Sequence, residues 1–324
     1  MFRIALAVLL AGLSGAALSQ TLLRVKMFPG AQSLPVLAAV QEGAFARHGL
    51  KVEVLFTANS DEQRNGLAAG EFEIAQAAVD NAVAMVELAK QDVIIVAGGD
   101  SSMNELVVQP EVGSVRDLRG QTLLVDAPNT AYALQLKKIL LMSGLKEGAD
   151  YAIHPIGGTS QRLRGMKDNK AYKAAMLNQP FALDARAAGL KSLGRAVDLI
   201  GPYQANGTFV LRRWGLANRD TLESYLAGVI EGTRWSLAPA NKDAAAKILS
   251  ERLKVTPEVA RRTLELMTEP GFGLATDAAF DMAGFRSVLA LRAEIEGSWG
   301  GRPPAPERYV DLSFYEKALK RVSR

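Results

Sequence analysis

The chain contains no cysteine, only two histidines, and a low share of aromatic residues, 6%. Without cysteine there is no disulfide framework to support the fold and no thiol for lipid attachment, so stability must come from the core. His48 and His154 have no Asp, Glu or Cys at metal-ligand spacing, and no His-Glu-x-x-His pattern occurs, so no metal site is expected. His48 precedes a helix-ending glycine and His154 precedes a proline, where structural roles suffice for both. There is no Gly-x-Ser-x-Gly elbow and no Gly-Lys-Ser/Thr phosphate loop, and the Gly-x-Gly at Gly271 to Gly273 lacks the third glycine of a dinucleotide loop. Charge of one sign is also missing: 38 Lys+Arg face 34 Asp+Glu, and the net +4 is spread along the chain. With no zinc-finger spacing, no basic helix with heptads and no aromatic-interleaved basic run, nucleic acid is not an expected partner. No apolar run reaches the roughly 20 residues that span a bilayer.

What is present is a globular composition. Of the 324 residues 48% are hydrophobic and 22% charged, enough for a full-sized core and, at this length, for two compact lobes or one large α/β domain. Arg3 precedes an apolar run from Ile4 to Leu18, and Ala17-Leu18-Ser19 offers a small-x-small site before Gln20. That order predicts a cleaved secretory signal peptide over residues 1–19, and with it a periplasmic location.

After Gln20 the pattern alternates between strand and helix periods. Leu22 to Met27, Lys51 to Phe56 and Glu73 to Ala77 read as strands; Ser33 to His48, a segment opening at Ser60 and Asp61, and Asn81 to Lys90 read as helices. Val93 to Ala97 is continuously apolar, as in a strand buried on both faces of a parallel sheet. A second series follows Leu106-Val107-Val108. It comprises a strand at Gln121 to Val125, helices at Asn129 to Ser143 and Thr159 to Lys170, a strand at Ala174 to Leu177, and a helix from near Pro180. Val197 to Ile200 and Thr208 to Arg212 are expected strands. Beyond Asn218 helices are expected at Arg219 to Leu237, Asn241 to Leu253, Pro257 to Thr268 and Asp277 to Glu296. The expected fold is therefore α/β, with two open, mostly parallel sheets flanked by helices and a helical C-terminal tail. Lobe 1 is assigned residues 20–105 and 205–324, lobe 2 residues 106–204, and the chain crosses twice between them.

In open α/β sheets ligands bind beyond the carboxyl ends of strands, where helix N-termini direct backbone amides into the crevice. The corresponding stretches are Pro29 to Ser33, Thr57 to Ser60, Ala77 to Asn81, Asp126 to Thr130 and Gly157 to Ser160, three from one series and two from the other. Helix capping accounts for any one of them alone; together they mark a cleft. The candidate ligand residues are Gln32, Asn59, Ala78 and Asp80 from one side, Asn129, Thr130, Tyr132 and Thr159 from the other, and Tyr203 near the crossing. Phe28 is a further aromatic candidate, and Arg64 with Asp80 supply charges of opposite sign, Asp80 also fitting an N-cap.

Three segments carry a family resemblance: Pro35 to Val52 (PVLAAVQEGAFARHGLKV), Leu67 to Ala75 (LAAGEFEIA) and Val115 to Gln121 (VRDLRGQ). In this order they resemble the periplasmic solute-binding proteins of ABC importers, in the group that handles nitrate, taurine, alkanesulfonates and thiamine precursors. The likeness runs from about residue 22 to 215. It departs at Glu73, where the family often has Asp, and after Asp126, where Ala127-Pro128-Asn129-Thr130 replaces a glycine-rich turn. The resemblance implies a type II periplasmic binding fold without catalysis or cofactor, acting as a monomer that delivers a small organic solute to an inner-membrane permease. Sulfonates, pyrimidines, amines and aromatic acids are the solute classes considered. That family also resembles fungal enzymes that build a thiamine pyrimidine precursor, whose cysteine-rich iron motif cannot exist in this chain without cysteine. A periplasmic enzyme using the same cleft, or a ligand-presenting partner of a sensor kinase, are the alternatives.

Overall fold

A computed structural model describes residues 20–323, and the expected signal peptide lies outside these residues. Among the described residues ten strands form two five-stranded sheets. The first holds β1 (Thr21–Met27), β2 (Leu50–Phe56), β3 (Ile74–Ala78), β4 (Val93–Ala97) and β10 (Asn206–Leu211), in the order β2-β1-β3-β10-β4. The second holds β5 (Asn104–Val108), β6 (Thr122–Val125), β7 (Ala152–Pro155), β8 (Tyr172–Asn178) and β9 (Lys191–Arg195), in the order β7-β6-β8-β5-β9. Each sheet is a parallel trio joined to an antiparallel strand that arrives from the other lobe. β10 runs antiparallel to β3 and β4, and β5 runs antiparallel to β8 and β9. The sheets are thus mixed, because a strand entering straight from a crossing meets its neighbours from the opposite end. Val93–Ala97 is buried along its whole length, as its apolar run predicts, but its ladder partner is the antiparallel β10.

Local chemistry sets several boundaries. The single helix expected from Ser33 to His48 is divided into Leu34–Gln41 and Ala44–Arg47, because Gly43 takes a left-handed φ of 70° that ends the first helix. Val197 to Ile200 belongs to the short helix Ala196–Ile200 and not to a strand. A four-residue apolar run does not by itself distinguish the two periods, and the edge strand that precedes it, Lys191–Arg195, is too polar to stand out. The edge strand Ala152–Pro155 ends in a proline, which an edge tolerates. The last long helix, Met282–Glu296, begins later than the expected Asp277, at an Asp281 cap whose carboxylate accepts from the Gly284 amide at 2.9 Å.

The tail packs on the first sheet and on the crossing. Ile95 of β4 donates to Tyr309 O and accepts from Asp311 N, so chain from the tail covers the edge of β4. Gly98 donates to Ala278 O and Ala275 donates to Gly99 O, fastening the tail to the first crossing. The two crossings bond to each other where Ala205 N donates to Asp100 O at 3.0 Å.

The helix Arg219–Leu237 lies so close to Leu34–Gln41 that a Cβ on Gly232 would collide with the Pro35 carbonyl and the Ala39 methyl. Gly232→Ala is therefore expected to lower stability by about 1–3 kcal/mol through overpacking, measured as the shift in urea midpoint at unchanged m-value.

Candidate functional site

The carboxyl ends of the parallel strands in both sheets point toward one cavity, with about 450 Å³ of space between atoms, its mouth included. From the first lobe come Phe28 after β1, Gln32, Ser60 at the start of the helix Ser60–Ala69, Ala77 and Ala78 at the end of β3, Asn81, and Asn206 at the start of β10. From the second come Asp126 after β6, Thr130, Ala131 and Tyr132 at the start of the helix Ala131–Met142, Gly158, Thr159 and Arg162 in and before the helix Thr159–Asp168, and Asn178 ending β8. Strand ends and helix starts converge here because the parallel strands joined by helical crossovers all finish at the same edge of their sheet. The mixed apolar and polar lining suits a small organic molecule.

The lobes meet across the cavity in direct hydrogen bonds. Asp126 accepts from the backbone N–H and the hydroxyl of Ser60, capping a helix of the opposite lobe. Asn178 Nδ2 donates to Gln32 Oε1 at 3.1 Å, Gly158 N to Ala58 O at 2.9 Å, and Ala31 N to Gln179 O at 2.8 Å. Behind the cavity, Arg292 Nη2 of the tail reaches Asn129 O of the second lobe at 3.0 Å.

Arg162 is 1% exposed. Its Nε and Nη2 donate to Met176 O at 3.3 and 3.1 Å, Nη1 to Gly157 O at 2.6 Å, and Nη2 to Thr159 Oγ1 at 3.0 Å. Burial lowers its pKa, opposed by the negative charge of Asp126. Its guanidinium lies 5.8 Å from the centre of the Tyr132 ring. Burial raises the Tyr132 hydroxyl pKa, as does the Asp100 carboxylate, while Arg162 and the amides of Asn178 and Asn104 act the other way. Two buried acceptors on lining residues, Asn81 Oδ1 and Asn178 Oδ1, have no partner among the described residues. A buried acceptor left unpaired costs about 1–3 kcal/mol, so both are groups that a solute donor could satisfy.

Five of the nine candidates, Gln32, Ala78, Thr130, Tyr132 and Thr159, line the cavity. The other four lie outside the lining, each for a local reason. Asn59 is turned onto its own helix, accepting from Glu62 N at 2.8 Å. Asp80 is buried in a two-point contact with Arg292, at 2.9 and 2.7 Å. Asn129 meets Arg292 through its carbonyl and Arg64 through its side chain at 3.4 Å. The Tyr203 ring is core beside that ion pair, its hydroxyl pushed well above its ordinary range by burial and by the Asp80 carboxylate. Arg64 itself pairs with Asp61 at 2.5 Å.

Arg162, Asn178 and Asn206 also line the cavity and are not among the nine candidates. Asn178 directly ends the strand around Ala174 to Leu177, so the strand-end rule, applied once more, would have found it. Arg162 lies one turn after Thr159 on the same helix face. Asn206 required knowing that β10 is antiparallel, since only then does its first residue reach the edge where the other strands finish. Among the described residues no group of three or more His, Cys, Asp or Glu is arranged to hold a metal ion.

Beside the cavity, at the first crossing, Asp100 accepts from Ser102 N at 2.8 Å. Burial pushes its carboxyl from the ordinary 3.8 up to about 6, against the amides of Ser102, Asn206 and Met103, which favour the ionised form. The folded protein then holds this proton between pH 4 and 6 where the unfolded chain releases it. The contribution to stability is thus full in acid and lost as pH rises through about 6. Urea unfolding at pH 4 and pH 7 is expected to show wild type losing about 2 kcal/mol more than Asp100→Asn across that interval.

Two α/β lobes that share one cavity and are joined by two crossings have the fold of the periplasmic binding proteins. The model of the NMT1-like family matches residues 16–250, and the chain belongs to this family. The periplasmic nitrate-binding protein NrtA from Synechocystis PCC 6803 aligns with a TM-score of 0.81 at 15% identity, covering 94% of this chain and 89% of that one. The alkanesulfonate-binding protein SsuA from Xanthomonas axonopodis pv. citri, bound to MOPS, aligns with a TM-score of 0.69 at 17% identity, covering 90% and 96%. The desulfurization enzyme DSZB aligns with a TM-score of 0.64 at 14% identity, covering 93% and 99%. No curated protein matches in sequence. At these identities the likeness concerns the fold, which serves binding proteins and at least one enzyme.

Proposed function

We propose that this chain is the solute-capturing component of an ABC importer: it binds a small organic solute between its lobes in the periplasm and hands the closed form to a membrane permease. The observation that carries this reading is the cavity itself, lined from both sheets and holding buried polar atoms that lack protein partners. A solute can favour closure only through contacts made with both lobes together, and this lining offers them. Family membership and the nitrate- and sulfonate-binding neighbours of the same fold support it. The lobe limits near residues 105 and 205, the monomeric state and the cleaved signal peptide belong to the same reading.

Thermal-shift screening against sulfonates, pyrimidines, amines and aromatic acids tests it. A compound present at 100 times its Kd stabilises the folded state by about 2.7 kcal/mol, a clear rise in melting temperature. Absence of any shift across all four classes would count against solute capture. Because DSZB shares the fold, the best compound should also be recovered after long incubation; its conversion would favour an enzyme in the same cavity.

A further inference from the structure

The cavity carries one charge of each sign, both on the second lobe: Asp126, 9% exposed, and Arg162. The two act on each other through space, while their direct contacts go elsewhere. Arg162 has four N–H donors committed to Met176, Gly157 and Thr159, of the five a guanidinium offers. Asp126 accepts from the N–H and hydroxyl of Ser60 at the start of the helix Ser60–Ala69, the place where a bound anion would otherwise find a helix N-terminus. The protein therefore brings its own carboxylate to this position. The unpartnered buried atoms on the lining, Asn81 Oδ1 and Asn178 Oδ1, are also acceptors and call for donors on the solute.

We propose that Asp126 is the specificity-determining residue of this cavity, selecting a small solute that carries no net negative charge and presents an N–H donor to the carboxylate. This rests on the reading of the cavity as the solute site. A zwitterion and an uncharged nitrogen heterocycle share this required N–H donor. A simple anion meets Asp126 as a like charge in a poorly hydrated space.

Calorimetry on wild type and Asp126→Asn tests this with matched probes. Taurine and ethanesulfonate differ in an ammonium group; cytosine and orotate compare an uncharged pyrimidine with an anionic one. Wild type is expected to prefer the net-neutral member of at least one pair, the taurine arm identifying a zwitterion and the cytosine arm a heterocycle. Asp126→Asn is expected to bind nitrate and ethanesulfonate about 10- to 100-fold more tightly than wild type does, because a like charge is gone while an acceptor for Ser60 remains. Micromolar binding of nitrate or ethanesulfonate by wild type, or no gain in a folded Asp126→Asn, overturns the proposal. Should the variant misfold, wild type decides: anion binding as tight as, or tighter than, the neutral partner in both pairs also overturns it. Tight anion binding would leave solute capture standing, whereas a melting screen without a responding compound removes solute capture itself.

Discussion

Asp80→Ala is expected to destabilise the protein by about 3–5 kcal/mol, lowering the melting temperature by on the order of 10 °C, although Asp80 lies outside the cavity lining. Asp80 and Arg292 are 1% and 0% exposed, and the guanidinium meets both carboxylate oxygens. Burial works against the charge on Arg292, and the Asp80 carboxylate, with Glu296, more than offsets it, so the guanidinium pKa is raised. Removing Asp80 leaves that cation buried with Glu296 Oε2, at 2.5 Å, as its remaining carboxylate. The pair lies out of solvent, so the loss should change little between low and high salt, unlike that of a surface ion pair. Calorimetric melting of the variant at two ionic strengths checks both claims; a loss under about 1 kcal/mol would mean that the pair behaves like an exposed one.

Tyr132→Ala is expected to weaken solute affinity by about 30- to 150-fold while the fold is retained. The ring stands at the start of the helix Ala131–Met142, one side toward Arg162 and part of its surface on the cavity. Truncation removes an apolar wall and takes a ring face away from a buried cation. Asn129→Ala provides the contrast, because that residue serves Arg292 through its carbonyl, which alanine keeps. Its affinity should remain within about twofold of wild type. Titration of the most stabilising compound into both variants distinguishes them; equal losses would place the Asn129 side chain in the site after all.

The difference between Tyr132 and Asn129 shows how far the sequence reaches. Both stand in a stretch where a strand ends and a helix begins, and periodicity locates that stretch well. Whether a polar side chain there faces outward to a solute or back into the protein depends on what another element brings to it. Asp80 is the clearest case: 212 positions separate it from the arginine that claims it. Arg292 sits within an ordinary amphipathic stretch of the tail, and its sequence neighbours give no sign that it is buried.

The sequence by itself determined the alternation of strands and helices, the apolar runs that became the interior of each sheet, and the strand-end stretches that border the cavity. These follow from contacts between residues close along the chain and from the period at which apolar side chains recur. The tertiary structure alone decided that β5 and β10 enter antiparallel, bringing Asn206 to the cavity, and that Asp126 caps a helix of the opposite lobe. It also decided that Arg162 lies buried over Tyr132 and that Asp80 belongs to Arg292. Each of those outcomes joins residues distant in sequence, and the cost of burying a charge or an amide without a partner is what selects one pairing from many.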